Sequence, residues 1–209
     1  MGSENRRSLV YRLAALTLGL AVMAMGIVLC IRANLGITPI SCPPYVLSLG
    51  LSPTVGQFTF LMHLVLVAGQ WLLLRREFRP VQWLQILLAW VFGCFIDGCM
   101  RLTSPLIPTD YLTCILTLLA GNVLLALGMH FEMGSHLILV PTDGFVQAVC
   151  RRTSFPFSRI KIAFDVSLLL VSIVCSLVLL NRIEGIREGT LISAFLVGYL
   201  VGLIRKVAF

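Results

Sequence analysis

Long apolar runs alternate along this chain with short clusters that carry its arginines. Six runs approach the ~20 residues that a membrane-crossing helix needs: 13–31, 55–74, 82–100, 112–131, 160–180 and 189–205. Within each run the apolar residues are continuous rather than alternating, which predicts helices and not a barrel. The expected fold is an all-α integral membrane protein with six transmembrane helices. The first run follows Arg6, Arg7 and Arg12 as in a secretory signal. It is too long for a signal core, with no clear cleavage site, and so reads as the first span.

Two runs share a spacing. From Gly19 the chain reads GLAVMAMGIVLCIRANLGITPIS, and from Gly121 GNVLLALGMHFEMGSHLILVPTD. A shift of about 102 residues aligns Gly19 with Gly121, Gly26 with Gly128, Pro39 with Pro141, Ser52 with Ser154 and His63 with Asp165. This predicts two three-span repeats, 13–105 and 112–206, in one membrane domain. Three spans per half place the halves in opposite orientation, the plan of many secondary transporters. The segments after spans one and four (33–54 and 134–157) also match. Thr38, Ser41, Thr142 and Asp143 suit helix N-caps, Pro43 a first turn and Gly50 a helix end. Each segment is expected to hold a short re-entrant or interfacial helix of about eight to ten residues, roughly 12–15 Å.

Charge then sets topology. The chain has 209 residues, 58% hydrophobic and 12% charged. A soluble domain carries ~25% charge, so a soluble enzyme, a nucleic-acid binder and a disordered chain are excluded. Of 16 Lys and Arg residues, 12 fall on the side of the termini and four on the other (Arg32, Arg101, Arg182, Arg187). Positive loops stay inside, which predicts cytoplasmic N- and C-termini in a bacterial inner membrane. The lipid bilayer is then the main partner, and the basic residues need no nucleic acid.

Charges inside spans need reasons. Asp97 precedes Arg101 by four residues and Asp165 follows Lys161 by four, so each has a local ion pair to consider beside a role in coordination or proton transfer. His63 lies inside span two and would mate with Asp165 in a proton relay. Asp143 beside Pro141 suits an N-cap or a site residue that offsets the helix dipole, arguing against a bare anion site. The candidate ligand site is therefore Pro39, Ser41, His63, Asp97, Pro141, Asp143 and Asp165. His130, Glu132 and His136 are weak metal candidates, because i and i+2 point to different helix faces. The seven cysteines lack CxxC spacing and read as free thiols. Neither metal nor cofactor is expected. With no nucleophile–base motif, an enzyme is not expected either. Gly198 and Gly202 form GxxxG, which serves packing within the protein or a homodimer.

Leu35-Gly36-x-x-Pro39, Gly50-Leu51-Ser52 with Gly56, Gly189-Thr190-Leu191-Ile192-Ser193-Ala194 with Gly198, and Asp143 near Pro141 together resemble the YczE/YitT-like bacterial membrane proteins. The resemblance covers nearly the whole chain and implies a small multi-span inner-membrane protein. That pattern often has Trp-Asp after the first proline, where this chain has Ile40-Ser41. The function expected is a small transporter or channel for a small solute or ion. The alternative is a membrane regulator or assembly partner whose basic loop binds lipid or protein.

Overall fold

A computed structural model describes the backbone of residues 2–135, 137 and 140–207, and side chains within 10–135, 137 and 140–204. His136 lies outside the described residues. The described chain is helical throughout: α1 (Gly2–Ala33), α2 (Cys42–Gly50), α3 (Val55–Leu74), α4 (Leu84–Leu102), α5 (Tyr111–Ser135), α6 (Pro141–Thr153), α7 (Phe157–Leu180) and α8 (Glu188–Val207). Two 3-10 turns, Arg75–Glu77 and Pro80–Trp83, link α3 to α4.

Five of these helices are long and apolar enough to cross a membrane: Val10–Ala33, Val55–Glu77, Pro80–Leu102, Tyr111–Ser135 and Phe157–Leu180. This is the composition of a membrane protein. The sixth expected span falls in α8, Glu188–Val207, whose described apolar stretch is Glu188–Ile204.

The core is the crossing of α1 and α5. A Cβ on Gly19 would lie 2.9 Å from the Gly128 carbonyl oxygen, and one on Gly26 would lie 2.7 Å from that of Gly121. The converse holds at 2.8 Å for Gly121 against Gly26 and 2.7 Å for Gly128 against Gly19. Rising residue numbers on α1 therefore meet falling numbers on α5, so the two helices are antiparallel. Only glycine permits so close a backbone approach. Leu20, Ala24, Val28 and Ala126 are fully buried along the seam.

The other helices arrange around this pair. α4 packs on α1, and α8 on α5. Arg32 fixes the first contact, donating to the Met100 carbonyl at 2.7 Å and to Thr103 Oγ1 at 3.4 Å. Gly189 N–H fixes the region of the second, donating to the Leu35 carbonyl at 2.7 Å. Both short helices pack between the same two long ones: α2 against α3 and α7, α6 against α7 and α3. α2 has nine residues and α6 thirteen. They measure about 14 and 20 Å, too short to cross.

α3 also packs along α4, where Gly56 and Gly93 bring the backbones together. α7 and α8 make at most marginal contact. The positions 102 residues on from those glycines are Ser158 and Phe195, and Phe195 is exposed. Gly198 and Gly202 have nothing within 4 Å of where a Cβ would sit. Among the described residues nothing packs against this GxxxG pair. All seven cysteines are free; Cys30 and Cys42 are buried, while Cys94 is exposed.

Candidate functional site

The densest polar cluster surrounds the first turn of α6, where four other helices contribute side chains. Pro141 starts this helix well, because its fixed φ suits the first turn and its missing N–H is not needed there. The N-cap position falls to Val140, whose side chain cannot cap. Its own N–H is met from another helix: it donates to Glu132 Oε1 of α5 at 3.0 Å in a buried bond. Glu132 is buried at 3% exposure.

From α3 comes Gln70, fully buried. Its Nε2 donates to the Pro141 carbonyl and to Gln85 Oε1 of α4, both at 3.0 Å. Gln70 Oε1 has no partner. Gly144 makes room for this amide pair, since a Cβ there would lie 2.7 Å from Gln70 Oε1 and 3.0 Å from Gln85 Nε2. Turning the Gln70 amide over would lose both of its hydrogen bonds, so the network fixes its orientation.

Asp143 lies half-buried in the same turn. Burial pushes its carboxyl above its ordinary value of 3.8; Lys161 pulls it back and Asp165 pushes it further up. Lys161 and Asp165 of α7 pair at 3.1 Å. Glu132, Asp143 and Asp165 carry three negative charges when ionised, and Lys161 one positive charge. The cluster therefore favours a proton or a cation over a bare anion.

The corresponding end of α2 is built differently. Pro39 and Ser41 are both buried there. Ser41 occupies the N-cap but makes no side-chain cap bond. Its Oγ instead accepts from Thr38 Oγ1 at 3.1 Å. Backbone groups clamp the approach: Ile37 N–H donates to the Gly185 carbonyl at 3.1 Å, beside the Gly189–Leu35 bond. Gly36 has φ +107°, which a side chain would strain, and a Cβ there would strike Thr190.

Two expected site residues lie elsewhere. Asp97 does not pair with Arg101. Its oxygens accept from Thr54 Oγ1 at 2.6 Å and from Gly56 N–H at 2.9 Å. It thus caps α3, where free N–H groups reward a carboxylate more than an exposed arginine does. No hydrogen bond or ion pair joins His63 to Asp165 among the described residues. His63 is buried and stacks on Phe92 with ring centroids 6.0 Å apart, and its Nδ1 has no hydrogen-bond partner. Asp165 pairs instead with Lys161 of its own helix at 3.1 Å. The structure thus joins Pro141, Asp143 and Asp165, keeps Pro39 and Ser41 at the other short helix, and sets His63 and Asp97 between α3 and α4.

Sequence reading missed Gln70 and Gln85 and weighed Glu132 only as a weak metal candidate. The available signal was polarity inside apolar runs: an amide buried in a span needs partners as a charge does. No group of three or more His, Cys, Asp or Glu residues with metal-binding geometry occurs among the described residues.

With this arrangement in view, comparison with known sequences places the chain. A family model described as "Family of unknown function (DUF6198)" matches residues 10–206. The chain belongs to the DUF6198 family. The match covers every long helix and both short ones, so the polar cluster lies within the DUF6198 region. No curated protein and no solved structure matches the chain.

Proposed function

We propose that this DUF6198 protein is a small transporter or channel made of two inverted three-span repeats, 13–105 and 112–206. The observation that carries this reading is the reciprocal glycine crossing. Gly19 meets Gly128 and Gly26 meets Gly121, while the shift of 102 residues equates Gly19 with Gly121 and Gly26 with Gly128. Equivalent positions exchanging partners across an antiparallel pair is what a two-fold axis between inverted halves produces. The helix pairings support it. The contacts α1–α4 and α5–α8 are equivalent, as are α2–α7 and α6–α3, and α2–α3 and α6–α7. The resemblance to YczE/YitT-like proteins fits the same small multi-span plan.

On this reading both termini are cytoplasmic in a bacterial inner membrane, from the 12-to-4 bias in basic residues. The ligand site lies at the α6 first turn. Asp143 and Asp165 carry its charge, Gln70, Gln85 and Glu132 position the turn, and Pro39 with Ser41 form the uncharged counterpart. The ligand is a small solute or ion, with cations or protons favoured by the acids. Proteoliposome flux across a panel of ions and small metabolites, at several pH values, tests this. Flux should appear for one solute class and fall in Asp143→Asn. Flux unchanged in both Asp143→Asn and Asp165→Asn removes the site. No flux for any solute leaves the non-transporting regulator.

A further inference from the structure

The two ends of the molecule treat their arginines differently. At one end three of the four arginines are bound to the protein, and Arg101 stands alone and exposed. Arg32 binds the Met100 carbonyl, Arg182 pairs with Glu184 at 2.8 Å, and Arg187 donates to the Asn34 carbonyl at 3.0 Å. At the other end α3 and α6 finish side by side, because Gly69 lets Phe145 in and Arg152 Nε donates to the Leu73 carbonyl at 2.7 Å. That bond brings the Arg75–Arg79 turn next to Arg151 and Arg152. Arg75, Arg76, Arg79 and Arg151 are exposed. None of the four has a side-chain ion pair among the described residues. Glu77 is the one acid within these two segments. Aromatic rings border the cluster, with Trp71 48%, Trp83 50% and Phe155 55% exposed.

We infer that this composite surface is a binding site for the phosphate headgroup of an anionic phospholipid. Arginine forks match phosphate oxygens in pairs. Exposed tryptophans at a helix end suit the headgroup level of a bilayer. The two features adjoin here, on helices whose apolar faces meet the acyl chains. A neutral headgroup offers the same shape with a compensating cation and loses the charge term. The surface is independent of the transport reading, since it lies at the far end of α6 from the acidic turn.

The test uses the full chain purified in neutral detergent. Its unfolding midpoint is followed as phosphatidylglycerol, phosphatidylcholine or inorganic phosphate is titrated into the micelles. Phosphatidylglycerol should stabilise the protein, and added salt at molar levels should weaken the response. The Arg75→Gln, Arg76→Gln, Arg151→Gln triple variant should need more lipid by about fivefold per arginine, the equivalent of ~1 kcal/mol for each basic residue near an anionic surface. Arg101→Gln, at the opposite end, should respond as wild type. Equal stabilisation by phosphatidylcholine or inorganic phosphate overturns the inference. So does a salt-insensitive response, an unaffected triple variant, or an Arg101→Gln loss as large as that of the triple variant. Arg152 stays intact throughout because it holds α6 to α3.

Discussion

The short helices α2 and α6 both pack against α3 and α7, yet their first turns are held by opposite means. The α2 turn has no charged residue. Backbone bonds from the 185–189 segment clamp its approach, and its N-cap serine makes no capping bond. The α6 turn is held by side chains from three helices, through Glu132, Gln70 and Gln85, and carries Asp143 at its core. The difference teaches that two short helices packed against the same pair of long ones need not carry the same chemistry. The α1–α5 glycines hold the frame of long helices. The buried acid and amides Glu132, Gln70 and Gln85 gather at the α6 turn. A backbone clamp gives rigidity without titratable charge; a side-chain clamp gives a place where protonation is felt.

The largest expected effect breaks the shared frame and with it both turns. Gly26→Leu forces a side chain into the Gly121 carbonyl, where even a Cβ would lie 2.7 Å away. Ordinary overpacking costs about 1–3 kcal/mol, and a backbone obstacle gives way less than a side chain does. The variant should lose its folded fraction on size exclusion in detergent. Gly98→Leu is the control: it is exposed, with nothing within 4 Å of its Cβ position, and should stay folded. Equal tolerance at Gly26 and Gly98 would mean that the α1–α5 crossing does not hold the frame.

The next effect separates the two clamps. Glu132→Ala leaves the Val140 N–H buried without an acceptor, at a cost of about 1–3 kcal/mol. Ser41→Ala removes only an acceptor for Thr38 and should cost ~1 kcal/mol or less. Glu132→Gln keeps an acceptor oxygen and should recover much of the loss. Thermal unfolding of the three variants side by side ranks them. If Ser41→Ala proves as damaging as Glu132→Ala, the side-chain clamp is not special to α6.

Much of the frame is legible in the chain itself. The five long apolar helices follow from apolar length within a few residues. The Gly19, Gly26 and Gly121, Gly128 spacing singles out the glycines of the crossing, but reads as a repeat and does not itself say that they meet. Pro43 and Gly50 mark the limits of α2 because proline and glycine act locally. The polar contacts are less legible, because their partners are distant in sequence. Asp97 reads naturally with Arg101 at i+4, but the group it caps lies some 40 residues away, at Thr54 and Gly56. His63 and Asp165 lie 102 residues apart, and a shared sequence spacing alone does not make two side chains touch. Glu132 reads as a weak metal candidate until the chain returns to present Val140. Lys161 and Asp165, by contrast, pair as expected because both lie on one helix face.

A pH series sharpens the comparison further. The Asp143 carboxyl is raised above 3.8, chiefly by burial. Between its unfolded and folded values the native state binds the extra proton, so stability falls as pH rises through the window above 3.8. Unfolding midpoints should decline across that window in wild type. Asp143→Asn should remove this part of the decline and be the more stable at neutral pH. Nothing in the α2 turn titrates there, so Ser41→Ala should keep the wild-type slope. An undiminished slope in the Asp143→Asn variant would assign the titration to another group.

The smallest effect tests whether Lys161 serves α7 alone or also the α6 turn. Its pair with Asp165 is partly exposed and one helical turn apart, worth about 0.3–0.5 kcal/mol. Lys161→Met should therefore barely move the midpoint at low pH, where Asp143 is protonated. At higher pH the loss should grow, because Lys161 also pulls the Asp143 carboxyl down. Without it Asp143 holds its proton to higher pH, and the declining window extends upward. In the Asp143→Asn background the same substitution should shrink to the bare value of the surface pair. The double-mutant difference isolates the coupling between lysine and buried aspartate. A pH-independent loss, identical in both backgrounds, would confine Lys161 to α7 and leave the α6 turn without a compensating cation.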